Sequence, residues 1–188
     1  MHEKIYPVIL CGGQGVRLWP YSRKNLPKQL LPLISDNSLF QDCLNRVSNR
    51  DLFEPALVIA NHQYRFTVAE QIQNSHQEVK ELILEPEIKD TAAAIIVSAI
   101  FIYKDNSEAN ILVLPSDHFI THNSKFEDTI KKGIETLKQG KSIVTFGITP
   151  NKENTNYGYF RVEKEDSYYE IKEFIEKPSL NKIKDFKK

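Results

Sequence analysis

The sequence predicts an α/β fold: a mostly parallel sheet with helices on both faces, followed by an antiparallel hairpin near the C-terminus. Three observations carry this. Short runs rich in Val, Ile and Leu alternate with longer segments of helical spacing, the pattern of parallel strands joined by crossover helices. The chain has 188 residues, one domain or most of one at roughly 100–200 residues per domain. Its last part changes to alternating aromatic segments around a charged turn, which reads as a hairpin.

Residues 5–11, 56–60, 81–84 and 111–114 are the four apolar runs. Continuous apolar runs of this length suit strands buried on both faces. The first helix is read from Leu39, Cys43, Leu44 and Val47, which share a face. The second is read from Phe66, Ala69 and Ile72, with heavily polar flanks. Residues 91–103 are apolar nearly all round, which predicts a deeply buried helix. Phe126, Ile130, Ile134 and Leu137 step by three and four, and Gly140 follows as a C-cap. Right-handed crossovers are expected throughout. Residues 157–164 and 168–175 form the two arms of the hairpin, around Glu165, Asp166 and Ser167. A last helix starts at Ser179, with no capping glycine after it; the C-terminus reads as a cut within the domain.

Composition removes several function classes. With 25 Lys+Arg against 25 Asp+Glu the formal net charge is zero, so the basic footprint of a general nucleic-acid binder is missing. A 40% hydrophobic and 10% aromatic content argues against disorder. The longest apolar stretch, residues 92–103, is interrupted by Ser98, and a membrane span needs about 20 residues. Residues 5–11 contain a proline and are too short for a signal segment. Cys11 and Cys43 have neither metal nor disulfide spacing, which fits burial in a protein of the reducing cytoplasm. Homo-oligomerisation is left open.

Three of the seven glycines, Gly12, Gly13 and Gly15, lie within four positions directly after the first strand. Glycines at a strand's carboxyl end let the backbone come close to a ligand. Free N–H groups there can face phosphate oxygens, and open α/β sheets bind ligands at those strand ends. A tight turn would use the same residues. The dinucleotide fingerprint needs a third glycine where Leu18 stands, and the P-loop's Gly-Lys-Ser/Thr is missing. The loop instead runs through Arg17, Leu18, Trp19 and Pro20 to Ser22, Arg23, Pro27, Lys28 and Gln29. Cations there suit a polyphosphate.

These residues carry a family resemblance. The run Cys11-Gly12-Gly13-Gln14-Gly15-Val16-Arg17-Leu18-Trp19-Pro20, with Pro27-Lys28-Gln29, resembles the signature of the sugar-1-phosphate nucleotidyltransferases. Its Trp-Pro and Pro-Lys-Gln details are similar to the branch that uses GTP and mannose 1-phosphate. Leu114-Pro115-Ser116-Asp117-His118 resembles the family's metal motif, and Tyr157-Gly158-Tyr159 its sugar-binding turn. Phe174-Ile175-Glu176-Lys177-Pro178 resembles its Glu-Lys-Pro motif. The resemblance implies a Rossmann-like, three-layer α/β/α nucleotidyltransferase fold of the glycosyltransferase-A type. It also implies transfer of GMP from GTP to mannose 1-phosphate, giving GDP-mannose and pyrophosphate. Both reactants are anionic, so catalysis of this kind is positioning and charge neutralisation.

The roles implied are these. Arg17 and Lys28 stabilise the triphosphate and transition-state charge, and Asp117 holds Mg²⁺, which binds through one or two carboxylates plus substrate phosphates. By position alone Asp117 equally suits a turn or a helix N-cap, and His118 suits packing as well as function. Cys11, Gly12, Gly13, Gln14 and Gly15 lie along the nucleotide, with Glu85, Asp90, Thr91, Pro115 and Ser116. Gly158 lets the backbone approach the sugar, Glu176 accepts from its hydroxyls, and Lys177 holds its phosphate. The family's Asn-Thr-Ala-Pro is here Asp90-Thr91-Ala92-Ala93. An ionised Asp only accepts hydrogen bonds, as the N1–H and N2–H₂ edge of guanine requires. Asn156 stands where a small residue is commoner. The family's domain continues past Glu-Lys-Pro to a second acidic metal ligand, so these 188 residues are expected to bind nucleotide and turn over weakly. Two alternatives stay open at this point: a nucleotidyltransferase for another sugar 1-phosphate, and a non-catalytic subunit that senses nucleotide sugars.

Overall fold

The computed structural model describes residues 4–13, 18–87, 89–140 and 143–185. The chain forms two compact units, Met1–Asn123 and Ser124–Lys188.

The first unit is built on four parallel strands: β1 (Tyr6–Cys11), β2 (Ala56–Asn61), β3 (Val79–Glu85) and β4 (Ile111–Pro115). Their order is β3-β2-β1-β4, so β1 is central, with Val8 opposite Leu57 on one side and Val113 on the other. All four apolar runs of the sequence form strands. Every residue of β2 is buried, as a strand covered on both faces requires.

Three helices cover the sheet: α1 (Leu39–Arg46), α2 (Arg65–Ser75) and α3 (Asp90–Tyr103). Ser38 starts α1 with a capping box: its hydroxyl accepts from the Gln41 N–H at 3.1 Å, and the Gln41 side chain accepts from the Ser38 N–H at 3.0 Å. Leu39, Phe40, Cys43 and Leu44 then face the core, close to the stripe that the spacing predicts.

The stripe of α2 differs from the expectation. Phe66 is 73% exposed, and Val68 is the buried residue. The cause lies one turn earlier. Tyr64, in the 3-10 turn His62–Tyr64, is buried, and its hydroxyl donates to the Lys24 carbonyl at 3.1 Å. Tyr64 and Val68 lie four residues apart and fix the inward face. Phe66 turns outward, and the Arg65 guanidinium lies 4.2 Å over its ring.

Helix α3 also departs from the expected deep burial. Ala94 and Ile102 pack on Val8, Leu57 and Ile59. Ser98 is buried between them, and its hydroxyl donates to the Ala94 carbonyl at 2.7 Å, which satisfies it locally. The opposite face is open: Ile96, Val97, Ile100 and Tyr103 are exposed. Apolar composition fixed the helix but overstated the number of its neighbours.

The second unit holds α4 (Asn123–Leu137), β5 (Gly158–Lys164), β6 (Tyr169–Glu176) and α5 (Leu180–Asp185). Ile130 and Gly133 are the buried residues of α4. Gly133 sits against Phe146, whose Cζ would lie 2.9 Å from an added Cβ. Strands β5 and β6 are antiparallel, Gly158 facing Glu176 and Phe160 facing Phe174. The Glu165 N–H donates to the Tyr168 carbonyl at 2.9 Å and closes the turn. The Ser179 hydroxyl accepts from the Lys182 N–H at 3.4 Å at the start of α5. Among the described residues, no helix is long and apolar enough to cross a membrane.

Candidate functional site

Parallel strands end on one edge, and the first unit has its cleft there. The cleft holds about 320 Å³, at the lower end of the range for small-molecule sites. Leu10 and Ile59 line its apolar part. Gly12 and Gly13 follow β1, Glu85 ends β3, Asp90 and Thr91 open α3, and Pro115, Ser116 and Asp117 follow from β4. Lys28 and Gln29 enter from the 3-10 turn Lys28–Leu30. Sequence positions from 12 to 117 thus converge on one wall-to-wall arrangement because each follows or precedes an element anchored in the sheet.

Gly12 lies close against Glu85. A Cβ there would come within 3.0 Å of Oε2 of Glu85. Burial raises the Glu85 carboxyl above its ordinary value of 4.5, because the ionised form loses hydration. The Lys28 ammonium pairs with the Asp117 carboxylate, so the two candidates for charge handling touch each other. Both side chains stay about a third exposed, at 35% and 28%. Water therefore screens the pair, and its worth to stability is at most about 1 kcal/mol.

Ser116 is buried, and both its N–H and its hydroxyl donate to the Leu10 carbonyl, at 3.1 and 2.8 Å. It ties the end of β4 to the end of β1, so its hydroxyl is already engaged. Arg46 is buried at the end of α1, and one guanidinium nitrogen donates to the His118 carbonyl at 3.2 Å, next to Asp117. Cys11 lies behind the cleft with its side chain fully buried. Burial pushes its thiol up to about 12, against the opposing pull of Ser116. Burial likewise pushes Cys43 up to about 12, against the opposing pull of Arg46. Asp90 opens α3 at φ 60°, a left-handed backbone that Asp tolerates better than most residues. Gln14, Gly15 and Arg17 lie outside the described residues.

One polar residue of the cleft was given no role from sequence. Gln29 is buried, and its amide nitrogen donates to the Gly13 carbonyl at 2.6 Å, with the Cys11 carbonyl farther off at 3.5 Å. Its place in Pro27-Lys28-Gln29 was visible, but the direction of its side chain was not.

The candidate sugar-phosphate residues belong to the second unit. Gly158 opens β5 opposite Glu176. The Phe174 ring lies over Gly158, so an added Cβ would overlap it, and Oε2 of Glu176 would be 3.0 Å away. Lys177 has φ 43°. Its N–H donates to the Tyr157 carbonyl at 3.1 Å, and its ammonium pairs with Glu176 at 3.2 Å.

Comparison with known proteins agrees with this fold. The chain is 41% identical over 185 residues to a mannose-1-phosphate guanylyltransferase of Sinorhizobium fredii, covering 97% of this chain and 36% of the relative. It is 38% identical over 179 residues to the enzyme of that name from Klebsiella pneumoniae, covering 93% and 38%. The chain therefore spans little more than a third of the length of these relatives. Among solved structures, the protein named mannose-1-phosphate geranyltransferase from Thermus thermophilus superposes with a TM-score of 0.84 at 29% identity. That match covers 97% of this chain and 53% of the other. Residues 6–188 match the family described as nucleotidyl transferase, and with its cleft at the carboxyl ends of a parallel sheet this chain belongs to that family.

Proposed function

We propose that this chain binds GTP and mannose 1-phosphate and serves the transfer of GMP from the first to the second, with pyrophosphate leaving. The observation that carries the reading is the convergence of Gly12, Gly13, Lys28, Glu85, Asp90 and Asp117 in one cleft. The names of the relatives from S. fredii and K. pneumoniae support the choice of substrates.

In this reaction a phosphate oxygen of the sugar phosphate attacks the α-phosphorus of GTP, and the bond from that phosphorus to the β-phosphate bridge breaks. The chain's part is to hold and neutralise anions. Gly12 and Gly13 let the backbone approach the nucleotide. The Lys28 ammonium moves from Asp117 to the triphosphate, where it balances the charge that builds on the leaving pyrophosphate. Arg17 shares that task by resemblance. Glu85 and Asp90 offer carboxylate oxygens to the donor edge of guanine. In the second unit, Glu176 accepts from sugar hydroxyls and Lys177 pairs with the sugar phosphate.

The donor set fits Mg²⁺. Asp117 is a hard oxygen ligand, and the Lys28 ammonium already takes a cation's place on it. Among the described residues no group of three His, Cys, Asp or Glu is placed to cage a metal, so phosphate oxygens and water would complete the shell. Held there, Mg²⁺ supplies charge neutralisation on the phosphates. Free buried cysteines and soluble charged substrates support a cytoplasmic site of action.

The test is ligand-induced stabilisation, since binding to the native state raises the melting temperature by mass action. GTP with Mg²⁺ is expected to give a larger shift than ATP, UTP or dTTP at equal concentration. A larger shift with dTTP or UTP would overturn the guanylyl assignment. Asp117→Asn is expected to keep the fold and lose the Mg²⁺-dependent tightening of GTP in calorimetry; unchanged metal dependence would remove Asp117 from the metal site.

A further inference from the structure

We infer that Gln29 is the positioning residue of the glycine loop, holding the Gly13 carbonyl away from the nucleotide phosphates. This deepens the nucleotide reading above and rests on it. The argument begins with charge. A peptide carbonyl oxygen carries partial negative charge, and glycine lets the peptide rotate freely. A Gly13 carbonyl turned into the cleft would repel a phosphate. The Gln29 amide holds it with a 2.6 Å hydrogen bond. The assignment of nitrogen over oxygen is secure chemically, because Gly13 and Cys11 both present carbonyls there, which only accept.

Gln29 can impose this geometry because it is itself fixed. It is buried to 2% exposure, and so is Leu30 beside it. The Leu30 carbonyl accepts from the Gln71 amide on α2 at 2.9 Å. Gln71 is held in turn, since the Ser38 hydroxyl donates to its side-chain oxygen at 2.6 Å. On the other side of Gln29, Lys28 pairs with Asp117. One short turn thus links the glycine loop, the end of β4 and α2. A buried amide costs free energy unless it is bonded, so the pair Gln29–Gly13 resists separation.

Gln29→Met keeps the length and removes the donor. Gln29→Glu keeps the shape and places a carboxylate against the carbonyl. Calorimetry with GTP is expected to show affinity about tenfold lower for Gln29→Met and lower still for Gln29→Glu. Affinity for mannose 1-phosphate alone is expected to stay within about twofold, a split that general destabilisation would not produce. Wild-type affinity of Gln29→Met for GTP would overturn the inference, as would an equal loss for both ligands. Should Gln29→Met fail to fold, the wild-type protein decides: the side-chain amide resonances of Gln29 are expected to shift on saturation with GTP, and unmoved resonances would overturn it. A wild-type chain that binds no GTP would sink the nucleotide reading and this one with it. A wild-type chain that binds GTP beside an unaffected Gln29→Met would sink this one alone.

Discussion

Glu85 bears a cost in the free protein. Its carboxyl is raised above 4.5 by burial, so the folded state holds that proton more tightly than the unfolded state does. The contribution to stability is then greatest below 4.5 and declines as pH rises through the raised folded value. Glutamine keeps the shape and cannot ionise. Glu85→Gln is therefore expected to be more stable than wild type at pH 7.5, and the difference is expected to vanish near pH 4. Urea midpoints at the two pH values check it; identical midpoints throughout would mean that the carboxylate is well hydrated. Glu85 was legible in the sequence through Glu85-Pro86 at the end of an apolar run. So were Gly12, which directly follows such a run, and Asp117, which stands three residues past the end of another. Gln29 and Arg46 were not legible, since their contacts depend on where side chains meet carbonyls 16 and 72 residues away. Sequence order does not encode that direction.

The strands were read well from their apolar composition, although only β2 is buried along its whole length and β3 holds no fully buried residue. All four strands of the sheet fall within one or two residues of the apolar runs. Helix rotation was harder. Periodicity finds a helix but leaves its phase to the preceding turn, and the buried Tyr64 set the phase of α2 against Phe66. In the hairpin, the element depends on one missing side chain. Phe160 and Phe174 lie with ring centroids 5.3 Å apart, and Phe174 also covers Gly158. Such covering of a strand glycine by a cross-strand ring pins the register. Gly158→Ala is expected to push the ring aside and destabilise the chain by about 1–3 kcal/mol. In a Phe174→Leu background the same change is expected to cost clearly less, because its obstacle is gone. Thermal unfolding of the four proteins gives the cycle, and strict additivity would show that ring and glycine are independent.

For the molecule as a whole, the two units divide the candidate groups. The nucleotide candidates that the structure describes sit in the first, and Gly158, Glu176 and Lys177 sit in the second. Family membership follows from the whole matched length, while activity is a property to be measured on protein that spans more than this third of its relatives. The open face of α3, with Ile96, Val97, Ile100 and Tyr103, is more apolar than a helix facing water alone requires. The sheet's single polarity has a practical result. With every strand of the first unit parallel, all cleft residues stand at one rim, and the opposite rim is free of them. The turn after α3 lies on that opposite rim, and Ser107 and Glu108 are exposed there. Lengthening a surface loop costs little, about 0.6 kcal/mol per doubling. A flexible eight-residue Gly-Ser graft between Ser107 and Glu108 is expected to leave GTP affinity unchanged. The same graft between Asp117 and His118 is expected to abolish the Mg²⁺ dependence. Calorimetry on the two grafted proteins makes the comparison, and the tolerant rim would then be the place to attach a reporter without touching the chemistry.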